Sequence, residues 1–190
     1  MPFYTYDYER LSRAAARLRE ERWRCHAPIG AFAVTEDDGT VGARPPEKPG
    51  TELLHTGEIW SGYDRYLWLD AEAEVPQDFD GPVWGRFDFG RTGGGGNSGF
   101  ESLLFVNGKP WQAVDTNHQE APLHARAGET LRLQLRLWSG LVGGGRPHPN
   151  DCKFRMAELA VLDEGADSLC YWLTCLLGAY DILDENAHVP

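Results

Sequence analysis

The strongest constraint on the fold is an alternation of apolar and polar side chains that extends from Tyr63 to Leu162. Within it, the segment 131–138 carries a leucine at every second position, with arginine, glutamine and arginine between the four leucines. Successive side chains of a β-strand point to opposite faces of its sheet. The segment therefore predicts a strand whose leucines face a core and whose two arginines and glutamine face outward.

The same period of two recurs in the segments 65–75, 83–89 and 154–162. In the first of these, Leu67 falls on the predicted inner face and Trp68 on the outer one. No pattern of helical length separates the segments, so the strands follow one another without crossover helices. Consecutive strands of this kind pair antiparallel. The sequence predicts a mainly β fold, an antiparallel two-sheet β-sandwich or jelly roll.

One hairpin is predicted in detail. Asn107 and Gly108 separate two alternating segments, 101–106 and 109–114. Asn and Gly tolerate the two positive φ angles of a type I′ turn, and the twist of that turn matches the twist of paired strands.

Helical periodicity is confined to the two ends of the chain. The segment Tyr8–Arg24 carries one apolar stripe, as an amphipathic helix does. A second helix is predicted over Ala166–Leu183, with Asp167 or Ser168 as its N-cap. This second helix is apolar on more than one face, which indicates packing partners on several sides.

These patterns divide the chain into three predicted parts. They are an N-terminal helical segment (1–28), a β-sandwich domain (29–163) and a C-terminal helix (164–190). A proline-rich stretch, 44–50, is predicted to be a loop, because consecutive prolines remove backbone donors and forbid helix.

Charge excludes one class of partner. Asp and Glu outnumber Lys and Arg by 29 to 18, and the formal net charge is −11. Nucleic-acid binding requires clustered basic side chains, so we expect no nucleic-acid partner. The most apolar segment, 169–183, is too short to span a bilayer and contains an aspartate, so we expect no membrane partner.

The cysteines indicate a reducing compartment. Cys25, Cys152, Cys170 and Cys175 form no C-x-x-C pair, so a cysteine-rich zinc site is not indicated, and buried free thiols are the favoured interpretation. The amino terminus lacks the basic and apolar regions of a signal peptide. We expect a cytoplasmic protein.

Two polar segments allow alternative interpretations. The glycine-rich segment 91–99 lacks the Lys-Ser/Thr of a phosphate-binding loop, which favours a plain connection between strands. The segment 115–120 gathers possible ligands for a divalent cation, but turn chemistry explains the same residues and is favoured. No pair of carboxylates is marked out by the sequence as a glycosidase pair, so no catalytic residue and no metal ligand is predicted.

Aromatic side chains are the best candidates for a binding role. Trp68, Trp84 and Trp111 are predicted as flat platforms for sugar rings, since the alternation places at least Trp68 and Trp84 on outer faces. The favoured alternative is that they cover the edge of the core, and a domain or subunit interface is a further one. The other aromatic residues considered with them are Trp60, Tyr63, Tyr66 and Trp138.

Three segments, 67–76, 101–120 and 128–131, resemble the amino-terminal domain of glycoside hydrolase family 38 α-mannosidases. The resemblance covers about half of the chain and consists of a strand, an E-x-L-L-x-V-N-G hairpin, a D-x-N-H motif and a G-E pair. It implies a β-sandwich similar to galactose-binding-like modules that precedes a zinc-dependent catalytic barrel. The C-terminal helix would begin the linker to that barrel.

The resemblance also implies a function. The parent enzyme would be a retaining α-mannosidase with a zinc held by an H-x-D motif, and this sequence contains no H-x-D. No catalytic residue or zinc ligand is therefore transferred to it. The resemblance implies a non-catalytic ancillary domain whose partners are the catalytic domain of its own chain, a second copy and mannose-containing glycans. The alternatives are a free-standing carbohydrate-binding module and, less favoured, an independent β-sandwich enzyme.

Overall fold

The computed structural model describes residues 2–91, 99–141 and 147–182. In these ranges the chain forms two helices, one towards each end of the sequence, and antiparallel sheets between them, which confirms the predicted mainly β architecture. Two compact units are distinguished, residues 1–24 with 161–190, and residues 25–160. The predicted division at residues 28 and 163 stays a prediction.

Within the described residues, the order of elements is one helix, twelve strands and one helix. The helices are α1 (Pro2–Glu21) and α2 (Glu164–Ile182). The strands are β1 (Trp23–Pro28), β2 (Ala31–Asp37), β3 (Glu52–His55), β4 (Ile59–Gly62), β5 (Tyr66–Glu74), β6 (Val83–Asp88), β7 (Glu101–Val106), β8 (Lys109–Asp115), β9 (Glu120–Pro122), β10 (Thr130–Trp138), β11 (Asn150–Lys153) and β12 (Met156–Leu162).

The strands form three sheets. A four-stranded sheet has the order β1-β12-β6-β9, a six-stranded sheet has the order β3-β2-β5-β10-β7-β8, and β11 pairs with β4. In the six-stranded sheet β10 lies between β5 and β7 and is antiparallel to both. The strands that the alternation predicted are present as β5, β6, β10 and β12.

Apolar side chains fill the core of the sandwich as the alternation predicted. All four leucines of β10 are buried, and so are Leu67 and Leu69 of β5. Phe32 of β2 packs edge-on against Phe89, with ring centroids 5.6 Å apart, and against Phe154 at 5.9 Å. The burial of these large side chains is the main favourable contribution to folding.

The predicted hairpin is confirmed. Asn107 and Gly108 both have positive φ, 51° and 74°, between β7 and β8. The Asn107 side chain also accepts a hydrogen bond from the Arg132 backbone N–H at 2.9 Å, which fixes the turn to β10. Local turn chemistry and a contact distant in sequence therefore specify the same turn.

The N-terminal segment differs from its prediction. Helix α1 begins at Pro2 and ends at Glu21, whereas the predicted helix covered Tyr8–Arg24. Trp23–Pro28 is the strand β1, which pairs with β12. Trp23 is buried and Arg24 is exposed as the first two residues of β1. Trp23 also fits the apolar stripe of the preceding helix, so the sequence pattern did not mark where the helix ends. Pro28, which cannot continue a helix, closes the segment.

Helix α2 begins earlier than predicted and has a different N-cap. The Asp163 side chain accepts a hydrogen bond from the Ala166 backbone N–H at 3.0 Å, so Asp163 is the cap and not Asp167 or Ser168. Asp167 forms an ion pair with Arg22 at 2.5 Å instead. All three candidates are residue types that favour a cap, and only the backbone geometry distinguishes them.

The thiols are free in the structure, as predicted, but not all are buried. Cys152 and Cys170 are buried, and the Cys170 thiol lies 3.8 Å from the Ala15 carbonyl oxygen of α1. Burial, with the nearby Asp151 carboxylate, raises the pKa of Cys152 to about 11, which keeps it in the protonated form. Cys175 is exposed. Among the described helices, neither has the length and apolar character needed to cross a bilayer.

We expect Asp163→Ala to lower the free energy of unfolding by about 1 kcal/mol, because the N-terminal amides of α2 lose their acceptor. Asp163→Asn should keep most of the stability, since Asn caps as well as Asp does, and Ser168→Ala should have almost no effect. Urea denaturation followed by circular dichroism of the helices measures all three. A larger loss for Ser168→Ala than for Asp163→Ala would contradict the assignment.

Candidate functional site

Residues 38–50, called the strap here, lie over part of the outer face of the six-stranded sheet. The Arg132 guanidinium donates to the carbonyl oxygens of Pro46, at 3.3 Å, and Glu47, at 3.1 Å. The Gln134 side chain also donates to Pro46, at 3.3 Å. Proline-rich backbone offers carbonyl acceptors with few donors of its own, and it suits this covering role.

The end of the strap is pressed onto the sheet at Gly50. A Cβ atom at this position would lie 1.8 Å from the carbonyl oxygen of Val34 in β2. Only glycine permits such a close approach of backbone to backbone.

Asp70 is the polar centre beneath the strap. Its side chain is 6% exposed, and Arg132 donates to it at 2.6 Å from Nη2 and at 3.1 Å from Nε. Gln134, also buried, donates to the same carboxylate at 2.7 Å. The hydrogen bonds that the Arg132 guanidinium donates to Asp70 raise its pKa above its ordinary value. Arg132 and Gln134 lie on the outer face as predicted, and Gln134 is nonetheless buried, because its amide donates to a buried carboxylate.

A second ion pair lies at the beginning of the strap. The Arg136 guanidinium donates to both carboxylate oxygens of Asp37, at 2.8 and 2.9 Å, and to the Thr40 carbonyl at 2.8 Å. It lies 5.3 Å from the ring centre of Tyr66 and 5.8 Å from that of Trp68. Tyr66 in turn stacks on Trp138, with centroids 6.1 Å apart. Cation–π contacts and stacking hold these rings in fixed positions.

The three tryptophans predicted as sugar platforms have different surroundings. Trp68 is on the outer face, as predicted, but it is only 4% exposed and packs on Phe105 with centroids 5.5 Å apart. The Trp68 ring is therefore covered by its neighbours in this structure, among them Phe105 and Arg136. Trp84 is half-buried in β6. Trp111 is 39% exposed on β8, the edge strand of its sheet.

Trp111 is held in place by two contacts. Its indole N–H donates to the Pro122 carbonyl at 2.8 Å, and its ring meets His124 edge-on with centroids 5.8 Å apart. Of the three, Trp111 therefore combines the greatest exposure with a fixed orientation. Whether any of the three binds sugar stays a prediction.

A pocket of about 600 Å³ lies where the strap leaves β2 and faces the turn before β5. Residues 37–39 form one wall, and residues 62–66 form the other. The carboxylates are Asp37, Asp38 and Asp64, and the rings are Tyr63 and Tyr66. All of them belong to the unit of residues 25–160.

Hydrogen bonds fix the second wall of this pocket. Asp64 accepts from the Trp138 indole N–H at 2.8 Å, and its own backbone N–H donates to Gly140 at 3.1 Å. The Arg65 backbone N–H donates to the hydroxyl of Ser139, which is fully buried, at 2.9 Å. Asp64 has a positive φ of 51°, which Asp tolerates better than most residues. The turn is thus anchored to the segment that follows β10.

The carboxylates of the first wall are ionised over a wide pH range. Burial alone would raise the pKa of Asp37, but hydrogen bonds from Arg136 and the Gly39 backbone outweigh burial and lower it. Hydrogen bonds from Thr40 lower the pKa of Asp38. Both groups remain negatively charged at neutral pH.

The sequence patterns did not predict this pocket. Tyr63 and Tyr66 were named among the possible aromatic platforms for a sugar, but Asp37, Asp38 and Asp64 were assigned no role. The available signals were the Asp-Asp-Gly of residues 37–39 and the Gly-Tyr-Asp of residues 62–64, which both favour turns. That two turns distant in sequence face each other follows only from the pairing of β2 with β5, in which Asp37 lies opposite Tyr66.

Turn chemistry accounts for the segment 115–120. The Asp115 carboxylate accepts from the backbone N–H groups of Asn117, at 2.6 Å, and His118, at 2.8 Å. Burial raises the pKa of Asp115, but these hydrogen bonds outweigh burial, so the net pKa is lowered. Within the described ranges, no three His, Cys, Asp or Glu side chains are grouped closely enough to hold a metal ion. Most of the glycine-rich segment 91–99 lies outside the described residues.

Comparison with solved structures shows similarity of fold. Faecalibacterium prausnitzii β-glucuronidase matches with a TM-score of 0.53 and 13% identity, over 74% of this chain and 32% of that chain. A β-glucuronidase from Ruminococcus gnavus in complex with a C6-substituted uronic isofagomine matches with a TM-score of 0.50 and 11% identity, over 75% of this chain and 30% of that chain. No protein-family model and no curated protein matches the sequence.

At these identities the likeness concerns the fold alone. The chain spans about a third of the length of the β-glucuronidases that it matches. The β-sandwich is thus an arrangement that also occurs as part of larger glycoside hydrolases.

We expect Asp70→Ala to lower the free energy of unfolding by about 3 kcal/mol, because Arg132 and Gln134 lose their shared acceptor beneath the strap. Glu74→Ala removes an exposed carboxylate from the same strand and serves as the control, with a change within about 0.5 kcal/mol. Urea denaturation monitored by tryptophan fluorescence gives both values. Equal effects of the two substitutions would show that Asp70 does not hold the strap.

The lowered pKa of Asp37 has a consequence for acid stability. Because the pKa is lower in the folded than in the unfolded chain, the ionised carboxylate stabilises the fold fully above the unfolded value, and the contribution is lost as the pH falls through the folded value. We expect the free energy of unfolding to decrease from about pH 5 downward. In Asp37→Asn the decrease should be shallower, since one such group is gone. Urea denaturation at a series of pH values tests this, and an unchanged slope would contradict it.

Proposed function

We propose that this chain is a non-catalytic ancillary domain of a glycoside hydrolase. The observation that carries the proposal is the fold, a β-sandwich similar to about a third of each of two β-glucuronidases. A sandwich that recurs as a part of larger enzymes supports a role beside a catalytic domain. Fold alone does not establish function, so the proposal also depends on how the charged groups of the chain are used.

The best-buried carboxylates act in structural ion pairs, which supports a non-catalytic role. Asp70 is engaged by Arg132 and Gln134 beneath the strap. Glu158 accepts from Arg86 at 2.6 Å and from His26 at 3.1 Å. A glycosidase needs two carboxyl groups that face each other across the scissile bond, with one free to give up its proton. Groups fixed by guanidinium partners are unsuited to that task.

We further propose that the parent enzyme is an α-mannosidase of glycoside hydrolase family 38. The sequence resemblance in the hairpin 101–114 and in the D-x-N-H motif at residues 115–118 supports this choice over a glucuronidase. The zinc of such an enzyme would belong to the catalytic domain, because the H-x-D motif that would hold it does not occur in this sequence. Free thiols support a cytoplasmic location as part of the same proposal.

Helix α2 supplies a surface for docking within this proposal. Leu169, Trp172 and Leu176 follow the i, i+3, i+7 spacing of one helix face, and each is more than half exposed. The proposed occupant is the catalytic domain of the same protein, and a second copy of the chain is the alternative. Exposed apolar side chains at helical spacing are typical of such interfaces.

We expect the chain of residues 1–190 to hydrolyse neither p-nitrophenyl α-mannoside nor p-nitrophenyl β-glucuronide. The reading frame that encodes it should continue into a barrel-length sequence that contains H-x-D. Release of nitrophenolate at a rate that rises with the concentration of purified chain would refute the ancillary role. A reading frame without such a sequence would refute the proposed parent.

A second candidate function is a free-standing carbohydrate-binding module, and the exposed, fixed ring of Trp111 favours it. Titration with mannose oligosaccharides, followed by tryptophan fluorescence, should then saturate and should lose its response in Trp111→Ala. A purely structural domain should show no saturable response.

A further inference from the structure

We propose that the pocket between residues 37–39 and 62–66 binds a neutral saccharide. This proposal rests on the proposed function of the chain as a domain of a carbohydrate-active enzyme. It adds to that function a site for a sugar. It places the site at the start of the strap, where none of Trp68, Trp84 and Trp111 lines it.

The size of the pocket fits a small sugar. Its volume of about 600 Å³ lies within the range of roughly 300–1,000 Å³ that is usual for ligand pockets. Both walls are turns anchored to the sheet, one through Asp37 and Arg136, the other through Asp64 and Trp138. A pocket with fixed walls loses little conformational entropy when a ligand enters.

Tyr63 supplies the aromatic surface. Its side chain is 43% exposed and lines the pocket. Tyr66 lies beside it but is already stacked on Trp138 and covered by Arg136. Tyr63 is therefore the ring available to the apolar C–H face of a sugar.

Asp38 and Asp64 supply hydrogen-bond acceptors for hydroxyl groups. Both residues are exposed, and both line the pocket. Asp38 accepts from the Thr40 backbone N–H at 2.9 Å, and Asp64 accepts from Trp138. An ionised carboxylate has about four acceptor sites, so each retains capacity for the hydroxyl groups of a ligand.

The sign of the charge selects among sugars. Three carboxylates line the pocket, and the cation among them, Arg65, is engaged by Glu36 and by the Ser61 carbonyl oxygen. A uronic acid would bring a like charge close to these groups, and like charges repel. A neutral sugar meets no such penalty. We therefore expect discrimination against uronates, although the solved structures with a similar fold are β-glucuronidases.

A divalent cation is the rival occupant for a site rich in carboxylates. Asp37 is bound to Arg136 through both of its oxygens, which leaves it poorly placed to coordinate a cation. The two tyrosine rings contribute no ligand that a hard cation prefers. The combination of tyrosine rings and partly engaged carboxylates therefore suits a sugar better than it suits a divalent cation.

The test is a titration of the ¹⁵N-labelled chain, residues 1–190, observed by amide chemical shifts. The probes are the methyl glycosides of mannose, glucose and galactose, methyl glucuronide, and calcium chloride. We expect saturable shifts of the amides of residues 38–40 and 62–66 with at least one neutral glycoside. Methyl glucuronide should bind at least about tenfold more weakly, which corresponds to about 1.4 kcal/mol.

Variants locate the site. Tyr63→Ala and Asp38→Asn change exposed side chains, and each should weaken binding about tenfold while the remaining amide spectrum stays that of the folded chain. Tyr6→Ala is the matched control, an exposed tyrosine of α1 outside the pocket, and should leave the affinity unchanged.

Any one of three positive results would overturn the proposal. They are shifts centred on Trp111 and His124, binding of methyl glucuronide as tight as that of the neutral glycosides, or saturation of the same amides by calcium chloride alone. The absence of saturable shifts with every neutral glycoside would also overturn it. Failure of the ancillary role is detected separately, since it requires turnover of the nitrophenyl glycosides, which this titration does not measure.

Discussion

The hydrogen bonds to the Asp70 carboxylate are the interaction on which the attachment of the strap to the six-stranded sheet depends. A negative charge that is 6% exposed is costly unless it is fully hydrogen-bonded, and Arg132 and Gln134 supply the donors. The same two side chains donate to the Pro46 carbonyl of the strap. One buried acid thus requires donors from β10, and those donors also attach the strap to the sheet.

The packing of the outer face limits which aromatic rings are exposed. A sandwich with an open outer face could present a row of aromatic rings to a sugar chain, and Trp68 would be its centre. Here Trp68 instead packs on Phe105 and lies close to Arg136. Exposed aromatic or apolar side chains occur at the pocket at the start of the strap, on the edge strand with Trp111, and on α2.

Features that depend on neighbouring residues were predicted from the sequence. Features that depend on contacts between distant parts of the sequence were not. The hairpin at Asn107 and Gly108 and the buried leucines of β10 follow from turn chemistry and from a period of two, and both were predicted. Alternation assigns a side chain to a face, but it does not reveal what covers that face. Gln134 and Trp68 lie on the outer face, as predicted, but both are buried there, and Gln134 contacts a strap nearly ninety residues away in sequence. The pocket likewise joins two turns that only the β2–β5 register brings together.

Helix α2 exposes more apolar surface than packing against α1 alone accounts for. On one face Cys170 contacts Ala15 of α1, and on another Leu169, Trp172 and Leu176 are exposed. A helix that needed only α1 as its partner would carry charged residues on its remaining faces. Between Ser168 and Tyr180 the sequence contains no charged residue. Exposing a large apolar side chain forgoes about 1.5–3 kcal/mol relative to burying it, so a covering partner would gain several such contributions at once.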